Sequence, residues 1–275
     1  MSPSPAPAGP ASLPCHEVYA IRYATLARQR NDNFIANDPH DGPMPMDYFV
    51  WVVRGPDKVW LVDCGFDVIA ARERGREQLR CPIAALAPLG ITPADIGDLI
   101  LTHLHYDHAG NIGLLPEARI HLQEAELQYA TGRYMAWKFL RHAYSVEHVV
   151  DVVRQVYRER VRFHDGDVDL APGLQLIKIG GHTDGLQAVR VHTGRGWVVL
   201  ASDASHYYEN LETASPFPIV FKAGDMLEGF DRLQELADSP EHLIPGHDPL
   251  VRQRYPSWGD PANEIYALHL APIAA

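Results

Sequence analysis

The stretch Thr102-His103-Leu104-His105-Tyr106-Asp107-His108-Ala109-Gly110 gathers three imidazoles and a carboxylate within six residues. Desolvating such a set together is unfavourable unless a cation holds it. In an extended segment residues i and i+2 point the same way, so His103 and His105 can grip one ion from one side. Asp107 and His108 follow on a chain that is turning, and can reach a second ion. The apolar run Asp98-Leu99-Ile100-Leu101-Thr102 reads as a short buried strand. It delivers the cluster at its C-terminal end, where α/β proteins place their sites.

Outward from this stretch, aromatic and β-branched runs predict strands over Tyr48–Val53 and Val59–Asp63, with a turn at Gly55-Pro56-Asp57. Further strands are expected at Arg119–Leu122, Leu174–Ile179, Gln187–His192, Trp197–Ala201 and His242–Pro245, the middle pair forming a hairpin around Thr193-Gly194-Arg195-Gly196. Helical spacing is read over Val68–Leu89, over Glu124 to about Tyr157, and over Met226–Ala237. Asp165 and Asp169 read as turn residues. Short mixed strands with helices between them predict an α/β layered sandwich and not two independent domains.

Polar residues recur at the strand ends: Asp63, His103, His182 in Gly-Gly-His-Thr-Asp-Gly, Asp203 in Ala-Ser-Asp-Ala, and His247 in Pro-Gly-His-Asp. Taken singly each is weak evidence, because a lone histidine more often lies at the surface or caps a turn. Their shared placement after short apolar strands makes them candidates for one centre. A two-ion site needs roughly four to six ligands per ion, shared with a bridging carboxylate and water.

At 275 residues and 46% hydrophobic content, the chain can bury a full core. No apolar run approaches the ~20 residues that span a bilayer, so no membrane role is expected. The formal charge of −11, from 24 basic and 35 acidic residues, argues against a nucleic-acid groove. A neutral or apolar small molecule is the easier partner. Residues 1–14, rich in Pro, Ala and Ser, read as a disordered tail before a single domain over 15–275. Cys15, Cys64 and Cys81 are odd in number and lack metal-site spacing, which suits reduced thiols in a cytoplasmic protein.

The ordered set Leu61-Val62-Asp63-Cys64-Gly65, Thr102–Gly110, Gly181-His182-Thr183, Ser202-Asp203 and Pro245-Gly246-His247 resembles the metallo-β-lactamase superfamily of hydrolases. The resemblance spans roughly residues 45–250, with all seven ligand positions filled. It implies a four-layer αβ/βα sandwich with the site at the edge of the two sheets. It assigns His103, His105 and His182 to one zinc, and Asp107, His108 and His247 to the other. Asp203 would bridge them, and Asp63 would orient a ligand imidazole. Two Zn2+ fit this donor set best, although such sites also accept manganese, iron or cobalt.

Within the superfamily, Asp107-His108 in place of Asp-Arg or Asp-Cys points away from the antibiotic-degrading branch. The length leaves no room for the inserted domain of the RNA-processing branch, and no flavodoxin-like tail is expected. Leu200–Asn210 is most similar to the N-acyl homoserine lactonase group. That group carries a tyrosine three residues after the bridging aspartate; here the position is His206, followed by Tyr207 and Tyr208. Gly110-Asn111 likewise stands where the group often has two glycines.

The resemblance therefore implies a di-zinc hydrolase that opens a lactone by attack of a hydroxide held between the metals. His206, Tyr207 or Tyr208 is expected to steady the oxyanion, and Asp107 to relay the proton. The alternative is a thioester hydrolase of the glyoxalase II type, mildly disfavoured because Lys222 and few other evident basic residues are offered to a glutathione. A non-catalytic metal-binding scaffold is the third reading. Tyr129 to Tyr144 carries an aromatic set, either core packing or a lid over an acyl pocket, and residues 31–45 read as a loop that could cover the same mouth. His16, His40, His121, His142, His148, His164, His192, His242 and His269 default to surface or capping roles, and Cys64 to packing.

Overall fold

The computed structural model describes residues 13–36 and 39–273. Most of the expected N-terminal tail, residues 1–12, lies outside the described residues. Pro14 is already anchored, its carbonyl accepting from Nδ1 of His192 at 3.0 Å.

The chain first builds a mixed sheet. It comprises β1 (Glu17–Leu26), β2 (Met46–Arg54), β3 (Val59–Val62), β4 (Glu77–Gln78), β5 (Asp98–Ile100), β6 (Arg119–Gln123) and β7 (Val161–His164). The second sheet comprises β8 (Val168–Ala171), β9 (Leu174–Lys178), β10 (Gln187–Thr193), β11 (Gly196–Ser202) and β12 (Leu243–Pro245). A last strand, β13 (Ile265–Ala267), returns to the first sheet. The orders are β13-β1-β2-β3-β5-β6-β7, with β4 beside β1, and β12-β11-β10-β9-β8.

Side-chain alternation makes the layers. On β2, Phe49, Trp51 and Val53 face the second sheet and meet Leu176, Val189 and Leu200 in one buried cluster. Their neighbours Tyr48, Val50 and Val52 face the other way, into a cluster with Leu99, Ile120, Val149 and Val152. The outer face of the second sheet packs Ala188, Val199 and Ala201 against Met226, Phe230 and Leu233. The result is helix, sheet, sheet, helix: the expected four-layer sandwich. Each buried aliphatic or aromatic side chain contributes roughly 1.5–3 kcal/mol. A one-residue slip of β2 would exchange its two buried sets, so register is tightly held.

The helices are shorter than the periodicity suggests. The first, α1 (Val68–Glu73), ends before Gly75, which sits at φ +62°; β4 follows, then a 3-10 turn at Ala84–Leu89. The expected helix from Glu124 to Tyr157 is three: α2 (Glu124–Thr131), α3 (Lys138–Arg141) and α4 (Val146–Tyr157). Gly132 and Trp137 adopt extended backbone between them. Two further short helices, α5 (Tyr208–Glu212) and α7 (Leu250–Arg254), flank the long α6 (Ala223–Leu236). Asp169 lies within β8 and not in a turn, whereas the hairpin pairing Thr193 with Gly196 is as expected. Among the described residues no helix is long and apolar enough to cross a membrane.

Parallel pairing aligns the strand ends. β3, β5, β6 and β7 run parallel, as do β11 and β12, so Asp63, His103, Asp203 and His247 all follow strand C-termini. These ends and the loop after β9 meet at one edge of the sandwich.

Candidate metal centre

Two groups of donors lie at this edge, and they share one carboxylate. His103, His105, His182 and Asp203 form the first; Asp107, His108, Asp203 and His247 form the second. Within each group the donor atoms lie inside 4.8 Å of one another, and all seven residues are buried. Oδ2 of Asp203 is 3.3 Å from Nε2 of His182 and 3.8 Å from Nε2 of His103. Oδ1 faces the other group, 3.3 Å from Nε2 of His108 and 3.0 Å from Nε2 of His247. Oδ2 of Asp107 stands 3.7 Å from both of those nitrogens.

The outward ring nitrogens are tied down. Nδ1 of His108 donates to Asp63 at 2.8 Å, Nδ1 of His182 to the Ile219 carbonyl at 2.6 Å, and Nδ1 of His247 to the Asp47 carbonyl at 2.8 Å. With the proton held outside, each Nε2 presents a lone pair inward. Nδ1 of His105 meets Nε2 of both His103 and His182, at 3.0 and 2.9 Å, and one nitrogen cannot satisfy two others by hydrogen bonding alone. Nε2 of His108 and Oδ1 of Asp203 are buried without a hydrogen-bond partner. Orphaned donor atoms converging on two points are what cations complete, so the residues fit the metal pair.

Electrostatics agree with the geometry. Burial holds the His103 and His105 imidazoles well below their usual range, with neighbouring histidines adding to it, so both present neutral donors. Burial also pushes His108 and His247 down, but Asp203 and the other nearby carboxylates outweigh it and lift both. Burial pushes Asp203 up, yet His247, His108 and His206 together hold it well below the carboxylate range. Positive charge is favoured beside these carboxylates, as a proton on His108 or His247 or as a cation that replaces it.

The profile of the metallo-beta-lactamase superfamily matches residues 44–247, a span that contains all seven donors. The chain belongs to that superfamily. Among its relatives is a probable metallo-hydrolase of Mycobacterium tuberculosis, 28% identical over 72% of this chain and 69% of the relative. An N-acyl homoserine lactonase of Bacillus thuringiensis subsp. kurstaki is 32% identical over 59% of this chain and 60% of the relative. A crystal structure of a quorum-quenching N-acyl homoserine lactone lactonase superposes with a TM-score of 0.72 at 24% identity, covering 86% of this chain and 94% of that one. The superfamily fold expected from the motifs is therefore the fold observed, and the chain is a superfamily hydrolase.

Backbone strain marks the metallo-β-lactamase edge. Asp63, immediately after β3, and Ser202, the last residue of β11, hold φ of +59° and +48°. Gly246 packs so closely that a Cβ would stand 2.6 Å from the Ser202 carbonyl oxygen. Any larger residue there would displace His247 from Asp203.

The trio after Asp203 divides. His206 lines the cavity at the centre, with Nε2 3.0 Å from Oδ2 of Asp203 and its ring stacked on Phe217. Burial pushes its imidazole down to about 3, so it is neutral. Tyr207 and Tyr208 do not reach the cavity. Tyr207 directs its hydroxyl to the Pro45 carbonyl at 3.3 Å, and Tyr208 lies in the inter-sheet core under Arg254. The turn into α5 carries both rings away from the cavity. The tyrosines that do line the cavity are Tyr48 and Tyr106, their hydroxyls 3.3 Å apart.

Several supporting residues carry no sequence signal. Glu126, fully buried at the start of α2, accepts from the amides of Leu104 and Gly185 and the hydroxyls of Thr183 and Tyr144. It thereby ties the His103–His108 loop to the loop of His182. Burial raises its carboxyl, and the four donors oppose that. Asp47, paired with Arg22 and Arg252, fixes the backbone that holds His247.

Other expectations change as well. His16, His121 and His148 are buried and not at the surface, and His121 bonds Asp98 at 2.7 Å. Cys64 is packed, as expected, with Sγ against the His108 carbonyl. The 129–144 aromatics split: Tyr129 and Tyr144 are core, whereas Trp137 and Phe139 are about two-thirds exposed, at 66% and 65%. Lys222 is not the basic residue of the site; it pairs with Asp184 at the surface. Arg28, Arg74 and Arg76 line the cavity instead.

Proposed function

We propose that the seven donors hold two divalent cations, zinc by the chemistry of the set, and that the protein hydrolyses a cyclic ester. The observation that carries this is the shared carboxylate: one oxygen of Asp203 faces each donor group, at the floor of a cavity of about 590 Å³. That volume suits a small molecule. The lactonases among the relatives support an ester, and N-acyl homoserine lactones are the first substrates to assay.

Bound ions supply Lewis acidity and a water that is nucleophilic at neutral pH. Asp203, with one oxygen toward each donor group, would hold both ions. Asp107, on the cavity wall, takes the proton released on attack and returns it to the leaving alkoxide. His206, the member of the trio on the cavity wall, turns its single N–H from Asp203 to the carbonyl oxygen as charge develops there. An ester leaving group needs less protonation than an amide, so this set suffices.

A thioester hydrolase is the second reading, and the three cavity arginines favour it more than the sequence does. Initial rates of zinc-loaded protein on short- and long-chain acyl homoserine lactones, a simple γ-lactone and S-lactoylglutathione separate the two. Turnover of the lactones, with two equivalents of metal in the active protein, supports the first reading. Turnover of the thioester alone replaces it. The site and cavity lie within one domain over 15–275, and a cytoplasmic location is part of the same proposal.

A further inference from the structure

Three guanidiniums converge on the mouth of the cavity in a chain whose formal charge is −11. Several surface cations are paired with carboxylates: Arg30 with Glu209, Lys222 with Asp184, Arg232 with Asp167. Among the described residues, Arg28, Arg74 and Arg76 have no carboxylate partner. Arg74 donates to the carbonyls of His142 and Tyr144, at 2.8 and 2.9 Å, and lies 4.0 Å over the ring of Tyr106. Arg76 donates from Nε to the Tyr106 hydroxyl at 2.8 Å and from Nη1 to the Arg74 carbonyl at 2.7 Å. Its Nη2 has no partner among the described residues. Arg28 contacts the Asp32 carbonyl and the Met46 sulfur, neither of which neutralises it.

Tyr106 lies between His105 and Asp107 in the chain, so the Arg74–Arg76 pair sits one residue from both donor groups. The three arginines are half-buried, where a charge interaction outlasts that of a fully exposed pair. The cavity's own carboxylates are Asp107 and Asp203, which the donor groups claim, and the exposed Asp32. A guanidinium presents a planar fork of N–H groups matched to a carboxylate.

We propose that the substrate carries a carboxylate on the portion distal to the scissile bond, held by Arg28 and Arg76, with Arg74 fixing the mouth. This rests on the hydrolase reading above and narrows its substrate class from a neutral acyl chain to an anionic one. It also reverses the expectation that a neutral or apolar partner fits best.

The test compares matched pairs: N-hexanoyl against N-adipoyl homoserine lactone, and 4-nitrophenyl hexanoate against mono-4-nitrophenyl adipate. The adipoyl member of each pair should be preferred about tenfold or more in kcat/KM, through KM, with the preference shrinking at high salt. Arg28→Gln and Arg76→Gln should each raise KM for the adipoyl substrates about tenfold and leave that for the hexanoyl ones within about twofold. Binding of adipate itself, followed by calorimetry, should weaken in the same variants. Equal use of both members of each pair, or variants that impair both alike, overturns the inference. Preference within the ester pair with no lactone turnover keeps the carboxylate site and overturns the lactone reading instead.

Discussion

Oδ2 of Asp63 accepts from both Nδ1 of His108 and the hydroxyl of Thr102, each at 2.8 Å, while Oδ1 accepts the Thr102 amide. Asp63 thus fixes the orientation of one donor imidazole and the start of the loop carrying four donors. It does so from a left-handed backbone at φ +59°. Asparagine tolerates that conformation, so Asp63→Asn removes the charge without disturbing the turn. Metal affinity should fall about 10–100-fold, measured by competition with a chelator. Unchanged affinity would remove Asp63 from the supporting set.

Asp203 is the one side chain common to both donor groups. Asp203→Ala should release metal and lower turnover by more than about 100-fold. Metal analysis beside initial rates checks this, and a fully loaded, active variant would falsify the bridging assignment.

His206 and Tyr208 make opposite predictions although they are two residues apart. His206→Ala should lower kcat by about 100–1000-fold, the range for loss of an oxyanion donor. Tyr208→Phe should leave kcat and KM unchanged, because the ring lies between the sheets. Loss of activity in Tyr208→Phe at wild-type metal content would return that residue to the site.

Glu126 binds four donors as a carboxylate. Glu126→Gln turns one oxygen into an NH2 group that faces donors, leaving groups unsatisfied at about 1–3 kcal/mol. A lower unfolding temperature should accompany weaker metal binding. Wild-type values of both would show that the two loops are held by other contacts.

His164 stacks on His121 with its Nε2 3.1 Å from Nδ1 of that ring. Burial first, then His121 and Arg162, push the His164 imidazole from its ordinary 6.5 down to about 4. The unfolded chain therefore binds a proton that the folded chain refuses across this window. Stability is fully present above pH 6.5 and is lost as pH falls toward about 4. His164→Gln should flatten the fall in unfolding temperature across that window; a slope equal to wild type would assign the acid sensitivity elsewhere.

The layered fold and the seven donors were legible because their signals are local. Tyr48–Val53 alternates two apolar faces, and His103, His105, Asp107 and His108 follow one another within a single loop. β1 and β8 were not read, since Glu17, Arg22 and Asp169 interrupt their apolar pattern and only pairing with neighbours makes them strands. Helix lengths were overestimated where Gly75, Gly132 and Trp137 leave helical backbone inside a helical periodicity. Tyr207 and Tyr208 were misread because adjacency to His206 says nothing about where a turning chain points each ring. Glu126 and the three arginines depend on loops distant in sequence meeting in space, which no spacing reveals.

The donors also divide by origin. His103, His105, Asp107 and His108 belong to the first sheet's loop, whereas His182, Asp203 and His247 follow strands of the second. Each donor group draws from both halves, so ions bound there would act as rivets across the seam between the two sheets. Glu126 fastens the loops of His103 and His182 without a metal, and β13 crosses back to pair with β1 after the second sheet is complete. The inter-sheet core already joins the two slabs, so chelation should loosen the sandwich along this edge alone while leaving each sheet intact.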